Sequence, residues 1–482
     1  MGKLDAVQLT NLWPGTSDVI QRFGYTQQAT GLGAQVETLL AYNSGTSSKL
    51  FGAAGTNIYE VTAGGAVGAA SLASLTNARW QYTNITTAAG SYIMCVNGAD
   101  KLRTFDGTNW HKDGDGGAYD ITNVDSATLI DLILFKNRIW TVQKGTLKVW
   151  YLPINSLGGA AVALDMSTIA MNGGYIMAAC VWTLDAGYGM DDYLAFITST
   201  GEVIVWRCTD PTLATAIALI GVYQIGAPVG RRCFLKYGGD MLLITQDGIV
   251  PMASALQSSR LDPRVSLTDK IQFAASSAIT SYGANFGWQL CYFPKQNQLY
   301  LNVPVAEGST QQQYVMNTIT KAWCNFTGWN ANCFEIFNDN LYFGGNGYVG
   351  HAWNTLADVT NDITAFGLQS FQYYGSAAEK QCTMIRPHLL TNGSPSIYMN
   401  VNADFDLSDT TAELLFTPSS FGLWDSAVWD VDLWGSDLVP TMDWQGATGI
   451  GYCFAPQFKN ASQGIQVQWV ATDMVFSEGG VL

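Results

Sequence analysis

Seven times along this chain an apolar run rich in β-branched and aromatic residues meets a turn of Gly, Asn or Asp, and a second such run follows. Lys49-Leu50-Phe51 leads through Gly55 to Ile58-Tyr59-Glu60-Val61, and Tyr92-Ile93-Met94-Cys95-Val96 through Asn97-Gly98 to Leu102-Arg103-Thr104-Phe105. Later units turn at Gly145, Gly201, Asp247-Gly248, the Lys295-Gln296-Asn297 stretch and Asn346-Gly347. The turn positions 55, 98, 145, 201, 248, about 296 and 347 differ by 43, 47, 56, 47, about 48 and about 51. A period near 50 residues built from short strands is the spacing of four-stranded propeller blades. Helical repeats of similar length would carry a 3.6-residue apolar period, which these runs lack. The expected fold is therefore all-β: a β-propeller of about six or seven blades over residues 36–360, with few short helices. Asn346-Gly347 in particular predicts a type I′ hairpin turn, which needs φ > 0 at both central positions.

The repeat has two flanks. Residues 1–35 mix Gln, Thr, Gly and Asp without a period and predict an extended N-terminal arm, either disordered or docked through Trp13 and Phe23. After about residue 360 the repeat stops. Strand-like runs at Ser370–Tyr374, Ser396–Val401 and Ile465–Val470 predict a separate C-terminal β domain, 361–482, with Ile465, Val467 and Trp469 on one face of the last. Between them Trp424-Asp425, Trp429-Asp430 and Trp434 recur every five residues, a spacing that suits neither helix nor strand. Two readings stand: a subunit interface, since Trp is enriched at interface hot spots, or a loop whose tryptophans cap the domain core. One segment, Ser266–Ile279, predicts a short helix with Ser266 as N-cap.

Charge narrows the function classes. With 38 acidic and 23 basic residues the chain carries a formal charge of −15, against a surface that grips phosphate. Arg231-Arg232 is the one local basic pair, and it reads as a solvated turn, not as a nucleic-acid site. No window reaches ~18 uninterrupted apolar residues, so no membrane segment is expected, and Met1–Gln8 has no apolar h-region, so no signal peptide is expected. The nine cysteines are scattered inside apolar runs without a C-x-x-C pair, which suggests folding in a reducing cytoplasm.

Signatures of chemistry are missing. His111, His351 and His388 lie far apart, none with a His or Cys at metal-ligand spacing. There is no G-x-S-x-G elbow or P-loop. Asp113-Gly114-Asp115-Gly116-Gly117 resembles the start of a calcium loop but lacks its later ligands. Asp106-Gly107-Thr108-Asn109-Trp110 is similar to half of a sialidase-type Asp-box turn, and it occurs once without the leading Ser. The expectation is no enzyme, no catalytic residues, no metal and no cofactor, although paired carboxylates for glycoside hydrolysis cannot be read from spacing.

Several segments in fixed order resemble one family. They are Ala29-Thr30-Gly31-Leu32 with Val36-Glu37-Thr38-Leu39, Arg79-Trp80-Gln81-Tyr82, Val96–Asp100, Lys136–Trp140, Trp150–Pro153, Gly230–Cys233, Asn302–Thr310 and Trp424–Gly435. Taken together the chain resembles the tail hub or nozzle proteins of short-tailed bacteriophages and prophages, also called packaged-DNA stabilisation proteins. The resemblance spans nearly the whole chain, and it implies architecture and role, not a reaction. It implies a structural virion protein assembled in the host cytoplasm. Such a protein forms a six-fold homo-oligomeric ring below the head-to-tail adaptor, closes the exit channel, retains packaged DNA and conducts it at ejection. Its implied partners are the adaptor ring, a tail fibre, tailspike or needle, and double-stranded DNA passing without adhesion. An acidic lumen would supply that non-adhesion by repelling phosphate. The rival expectation is a carbohydrate-binding or glycan-hydrolysing propeller that recognises a receptor. A third reading is a propeller scaffold binding peptides on its top face.

Overall fold

A computed structural model describes residues 5–185, 190–213, 215–253, 266–409, 413 and 438–479. The chain forms two compact units. One comprises Gln27–Gln312 and Asn330–His351, the other Met1–Thr26, Gln313–Trp329 and Ala352–Leu482. The sequence divides the chain linearly at 35 and 360, whereas these units interleave, because segments distant in sequence hydrogen-bond into common sheets.

The larger unit is a β-propeller of seven blades. Its first blade takes the later half of the long strand Gly24–Asn43, then Ser48–Ala54 and Asn57–Glu60, with Leu72 bridged to Ile58. The second is Gln81–Thr87, Gly90–Val96, Arg103–Phe105 and Trp110–Lys112. The third is Leu129–Phe135, Arg138–Gln143, Lys148–Tyr151 and Val162–Asp165. The fourth is Ile176–Asp185, Met190–Thr198, Glu202–Cys208 and Ile217–Gln224, all antiparallel neighbours. The fifth has, among the described residues, three strands, Phe234–Tyr237, Asp240–Thr245 and Gly248–Pro251. The sixth opens with Gln289–Phe293 and Gln298–Ala306. The seventh is Cys333–Phe337, Asn340–Gly344 and Asn346–Thr355, and the first half of Gly24–Asn43 is its outer strand. One strand thus ends the last blade and begins the first, which closes the ring.

Blade stacking explains why the middle strands read as continuous apolar runs instead of alternating. A strand with a neighbouring blade on each side buries both of its faces, and period 2 then decides which neighbour each side chain meets. Ile93 and Cys95 pack with Leu40 and Phe51 of the first blade and with Trp80 at the entry to their own, while Met94 and Val96 pack with Leu129, Leu132 and Ile139 of the third. Leu194 and Phe196 join Trp140 and Val149, and Tyr193, Ala195 and Ile197 join Met241, Leu243 and Val250. The seventh and first blades share Cys333, Tyr342 and Val349 with Val36, Leu39 and Leu50.

The smaller unit is a two-layer sandwich. One sheet contains Ala6–Thr10, Ile363–Gln369, Phe454–Ser462 and Ser396–Ala403. The other contains Leu12–Pro14, Val19–Gln21, Val467–Glu478 and Lys380–Thr391, with Val439–Thr441 and Gln445–Gly451 paired to the last of these. Leu12, Ile385, Leu389, Ile397, Met399, Phe454, Phe458, Val467 and Trp469 fill the space between them.

Three local expectations shift. The α-helix is Gln272–Tyr282, and Ser266 does not cap it. The Ser266 hydroxyl instead donates to Ile249 O at 3.0 Å and shares a 2.7 Å hydrogen bond with Thr268, whose hydroxyl accepts from Ile249 N–H at 3.3 Å. The fifth blade thereby claims the cap. Asn346-Gly347 is a hairpin turn, but only Gly347 has positive φ (+76°), so it is not type I′. Turns with both central residues left-handed include Asn338-Asp339 (φ 49° and 58°) and Lys136-Asn137 (48° and 57°). Ser370–Tyr374 forms no strand. It makes the single bridge Gln372↔Phe454, and Tyr374 turns at φ 47°.

Candidate functional site

The inner strands of successive blades face a common axis, and the channel they leave has a volume of about 460 Å³. Its wall takes residues from every blade: Leu39, Tyr82, Asp131, Ala179, Phe234, Cys291 and Glu335 stand for the seven in order. Gln289 crosses between the sixth and seventh blades, its amide donating to Phe334 O at 2.9 Å and accepting from Phe334 N–H at 3.0 Å.

Arg232 staples three blades. Its guanidinium donates to Glu37 O (3.0 Å), to the Thr38 hydroxyl (2.6 Å) and to Trp80 O (3.2 Å). The Thr38 hydroxyl in turn accepts from Trp80 N–H at 3.0 Å and donates to Ala78 O at 2.7 Å. Burial pushes the Arg232 pKa down, partly opposed by the carboxylates of Glu335 and Glu37. Arg79 is held by Glu37 (2.9 Å) and by a short contact to Glu307, and lies over the Phe286 ring at 4.3 Å.

Two acids in the wall are displaced from the ordinary carboxylate range. Burial pushes Asp131 up to about 7, although it accepts from Ala179 N–H at 2.8 Å and feels the Arg231 charge. Burial likewise pushes Glu335 to about 7, against the Tyr82 hydroxyl, the Ile336 N–H and the Arg232 charge. Water can reach Glu335, which is only partly covered. Its side chain nevertheless stands in a narrow bore between protein walls, and that enclosure removes most of the solvation a charge needs. Both acids therefore change charge near neutrality. No signal in the sequence marks either one, since each sits in an ordinary strand and only ring closure encloses it.

At one end of the channel, where Arg231 lines both, lies a second cavity of about 510 Å³, lined by Glu37, Thr56, Asn77, Arg79, Asn97, Gly98 and Lys144 among others. The Arg231-Arg232 pair, read from the sequence as a solvated turn, lies here and in the channel wall instead.

No family model matches the chain, and no curated protein matches it. Solved structures do. YCF48 bound to D1 peptide is 11% identical with TM-score 0.39, covering 70% of this chain and 96% of its own. The BBS1N structure in complex with ARL6DN is 10% identical with TM-score 0.43, covering 69% and 98%. A putative 6-phosphogluconolactonase from Bacteroides fragilis is 13% identical with TM-score 0.37, covering 73% and 92%.

The residues singled out in the sequence are dispersed. Trp13 is buried in the sandwich unit, edge-on to Trp353 at 6.3 Å and Phe326 at 6.4 Å, and Phe23 lies 5.3 Å from the same Trp353. Trp424, Asp425, Trp429, Asp430 and Trp434 lie outside the described residues. His111 bonds Asp106 at 2.8 Å and stacks on Tyr119 at 4.2 Å, His351 stacks on Tyr342 at 4.8 Å, and His388 bonds Asp473 at 2.8 Å. Asp113 accepts from Ile121 N–H at 2.8 Å and from the Ser126 hydroxyl at 2.5 Å, so its loop is braced by its own donors. Among the described residues no group of three His, Cys, Asp or Glu is placed to hold a metal ion, and no helix is long and apolar enough to cross a membrane. All nine cysteines are buried and free. Burial pushes Cys208 to about 11 and Cys233 to about 12, which removes the reactive thiolate.

Sequence reasoning also missed a half-buried group on the sandwich unit. Asp473 accepts from Arg386 (2.5 Å) and His388 (2.8 Å), and Arg386 lies over the Trp444 ring at 4.7 Å. Strand pairing sets Asp473 beside Arg386 and His388, which lie 87 and 85 residues before it.

Proposed function

We propose that this chain is a structural virion protein, a nozzle or hub subunit of a short bacteriophage tail that assembles as a ring, retains packaged DNA and conducts it at ejection. The ordered series of segments from Ala29 to Gly435 carries the reading. Several of them meet in the fold: Glu37-Thr38, Arg79-Trp80, Asn97-Gly98 and Arg231-Arg232 line one end of the propeller channel or brace it. They are the scaffold of a ring of blades, which suits an architectural protein.

The channel within one subunit is not the DNA path. At about 460 Å³ it cannot admit a duplex, whose major groove alone is about 12 Å wide. DNA would pass through a lumen bounded by several copies, and a charge of −15 per copy favours sliding over adhesion.

Light scattering on the purified chain, alone and mixed with the adaptor ring of its phage, tests this. A six-fold complex on the adaptor is the expected result. A persistent monomer that ignores the adaptor overturns it and moves attention to glycan recognition. Deleting residues 421–436 is expected to abolish ring assembly while the propeller still melts cooperatively, and an unchanged oligomer would remove that loop from the interface.

A further inference from the structure

The cavity at the end of the propeller channel concentrates positive charge in an acidic chain. Arg79, Lys144 and Arg231 line it with Glu37 as the single carboxylate, in a protein whose formal charge is −15. Glu37 is already spent on Arg79 at 2.9 Å. Arg231 and Lys144 are left, among the described residues, without a carboxylate within salt-bridge distance. Each reaches only a main-chain oxygen, Arg231 to Asn97 O and Lys144 to Gly98 O, both at a long 3.4 Å. Asp100, one residue beyond the Asn97–Ala99 part of the lining, is occupied by Thr76 N–H, the Thr76 hydroxyl and the Asn97 amide. Asp131 attracts Arg231 through space but spends its Oδ2 on Ala179 N–H.

We propose that this cavity binds a compact anion, the phosphate of a phosphate monoester or the carboxylate of a small organic acid, held between Lys144 and Arg231. The two cations converge on successive carbonyls of one turn, and that turn is rigid. The Asn97 side chain accepts from Ala99 N–H at 3.0 Å and Asp100 N–H at 2.7 Å. Gly98 is left-handed at φ +73°, and a Cβ there would lie 2.6 Å from Ile130. A cavity of about 510 Å³ lies in the size range of small-molecule sites, ~300–1,000 Å³. The partly buried Arg231 charge is held at a cost, since burial pulls its pKa down. An incoming anion recovers that cost through charge-assisted hydrogen bonds, which are stronger than bonds to neutral carbonyls. The site needs only the propeller, so it stands or falls apart from the assembly reading.

Calorimetric titration of the full chain with inorganic phosphate, glucose 6-phosphate, glucuronate and glucose tests the proposal. Saturable binding of at least one charged probe, with none of neutral glucose, is expected. Preference between glucose 6-phosphate and glucuronate identifies the head group. Lys144→Glu, at an exposed position, is expected to weaken binding at least about tenfold without moving the melting temperature, and Arg231→Gln to do the same. Absence of binding by all three anions overturns the proposal, as does an affinity unchanged in Lys144→Glu.

Discussion

At the scale of single residues, the most consequential buried charge is Arg22. Its guanidinium binds Asp358 through two hydrogen bonds, 2.9 and 2.6 Å, and also donates to Asn11 Oδ1, Phe23 O and Thr327 O. Trp329 donates its indole N–H to the same carboxylate at 3.2 Å, and its ring lies 5.0 Å from the guanidinium. Removing one partner strands the other without solvent. Asp358→Ala is expected to destabilise the sandwich unit by about 3–5 kcal/mol in urea unfolding, and a loss under about 1 kcal/mol would mean that water compensates the arginine. Glu335 makes the opposite prediction. Its folded pKa is raised from 4.5 to about 7, so between those values the folded state holds a proton that the unfolded state has released. Stability then falls as pH rises through that window and levels off above it. Glu335→Gln should be more stable than the parent at pH 8 and equal to it below about pH 4. A constant difference across pH would show that the carboxylate is solvated.

At the scale of elements, turns decide where strands begin. Six of the seven turns read from the sequence fall between the second and third strands of a blade. The sixth, near 296, falls instead between the first and second strands, Gln289–Phe293 and Gln298–Ala306. The equivalent turn there is Gly308, left-handed at φ +75°. The miss has a physical cause: Asn297 is also left-handed at 53°, so two adjacent turns carry the same chemistry and composition cannot rank them. Two glycines of the seventh blade separate space from conformation. A Cβ on Gly344 would sit 2.5 Å from Val36 O and 2.7 Å from Cys333 Sγ, where the closing strand passes. Gly344→Ala is expected to cost about 1–3 kcal/mol through overpacking. Gly347, left-handed but open to space, should lose about 1 kcal/mol as Ala. Comparing the two thermal midpoints checks the order, and a reversed order would mean that the closing strand yields to the added methyl.

At the scale of the molecule, the propeller is closed by a strand from near the beginning of the chain. Gly24–Asn43 supplies the outer edge of the seventh blade before it enters the first. Deleting residues 1–35 removes that edge and leaves the outer side of the Asn346–Thr355 strand unpaired. The truncated chain is expected to lose its cooperative melt and aggregate through the exposed strand. A soluble product melting within a few degrees of the parent would show that seven blades hold without the closure.

Local chemistry alone determined that this chain is built of strands in a repeat near 50 residues, because apolar runs, period 2 and turn residues act over a few positions. It also located the short helical segment, although it began it six residues early, and made the thiols hydrophobic fillers. Ring closure, interleaved units and the enclosure of Asp131, Glu335 and Arg231 were decided only by tertiary structure. A residue's solvation and its distant partners depend on what the rest of the chain places around it. The sequence shows Arg231-Arg232 as a basic pair. Only the ring of blades makes one a staple spent on Glu37, Thr38 and Trp80, and leaves the other facing a cavity with its charge unanswered.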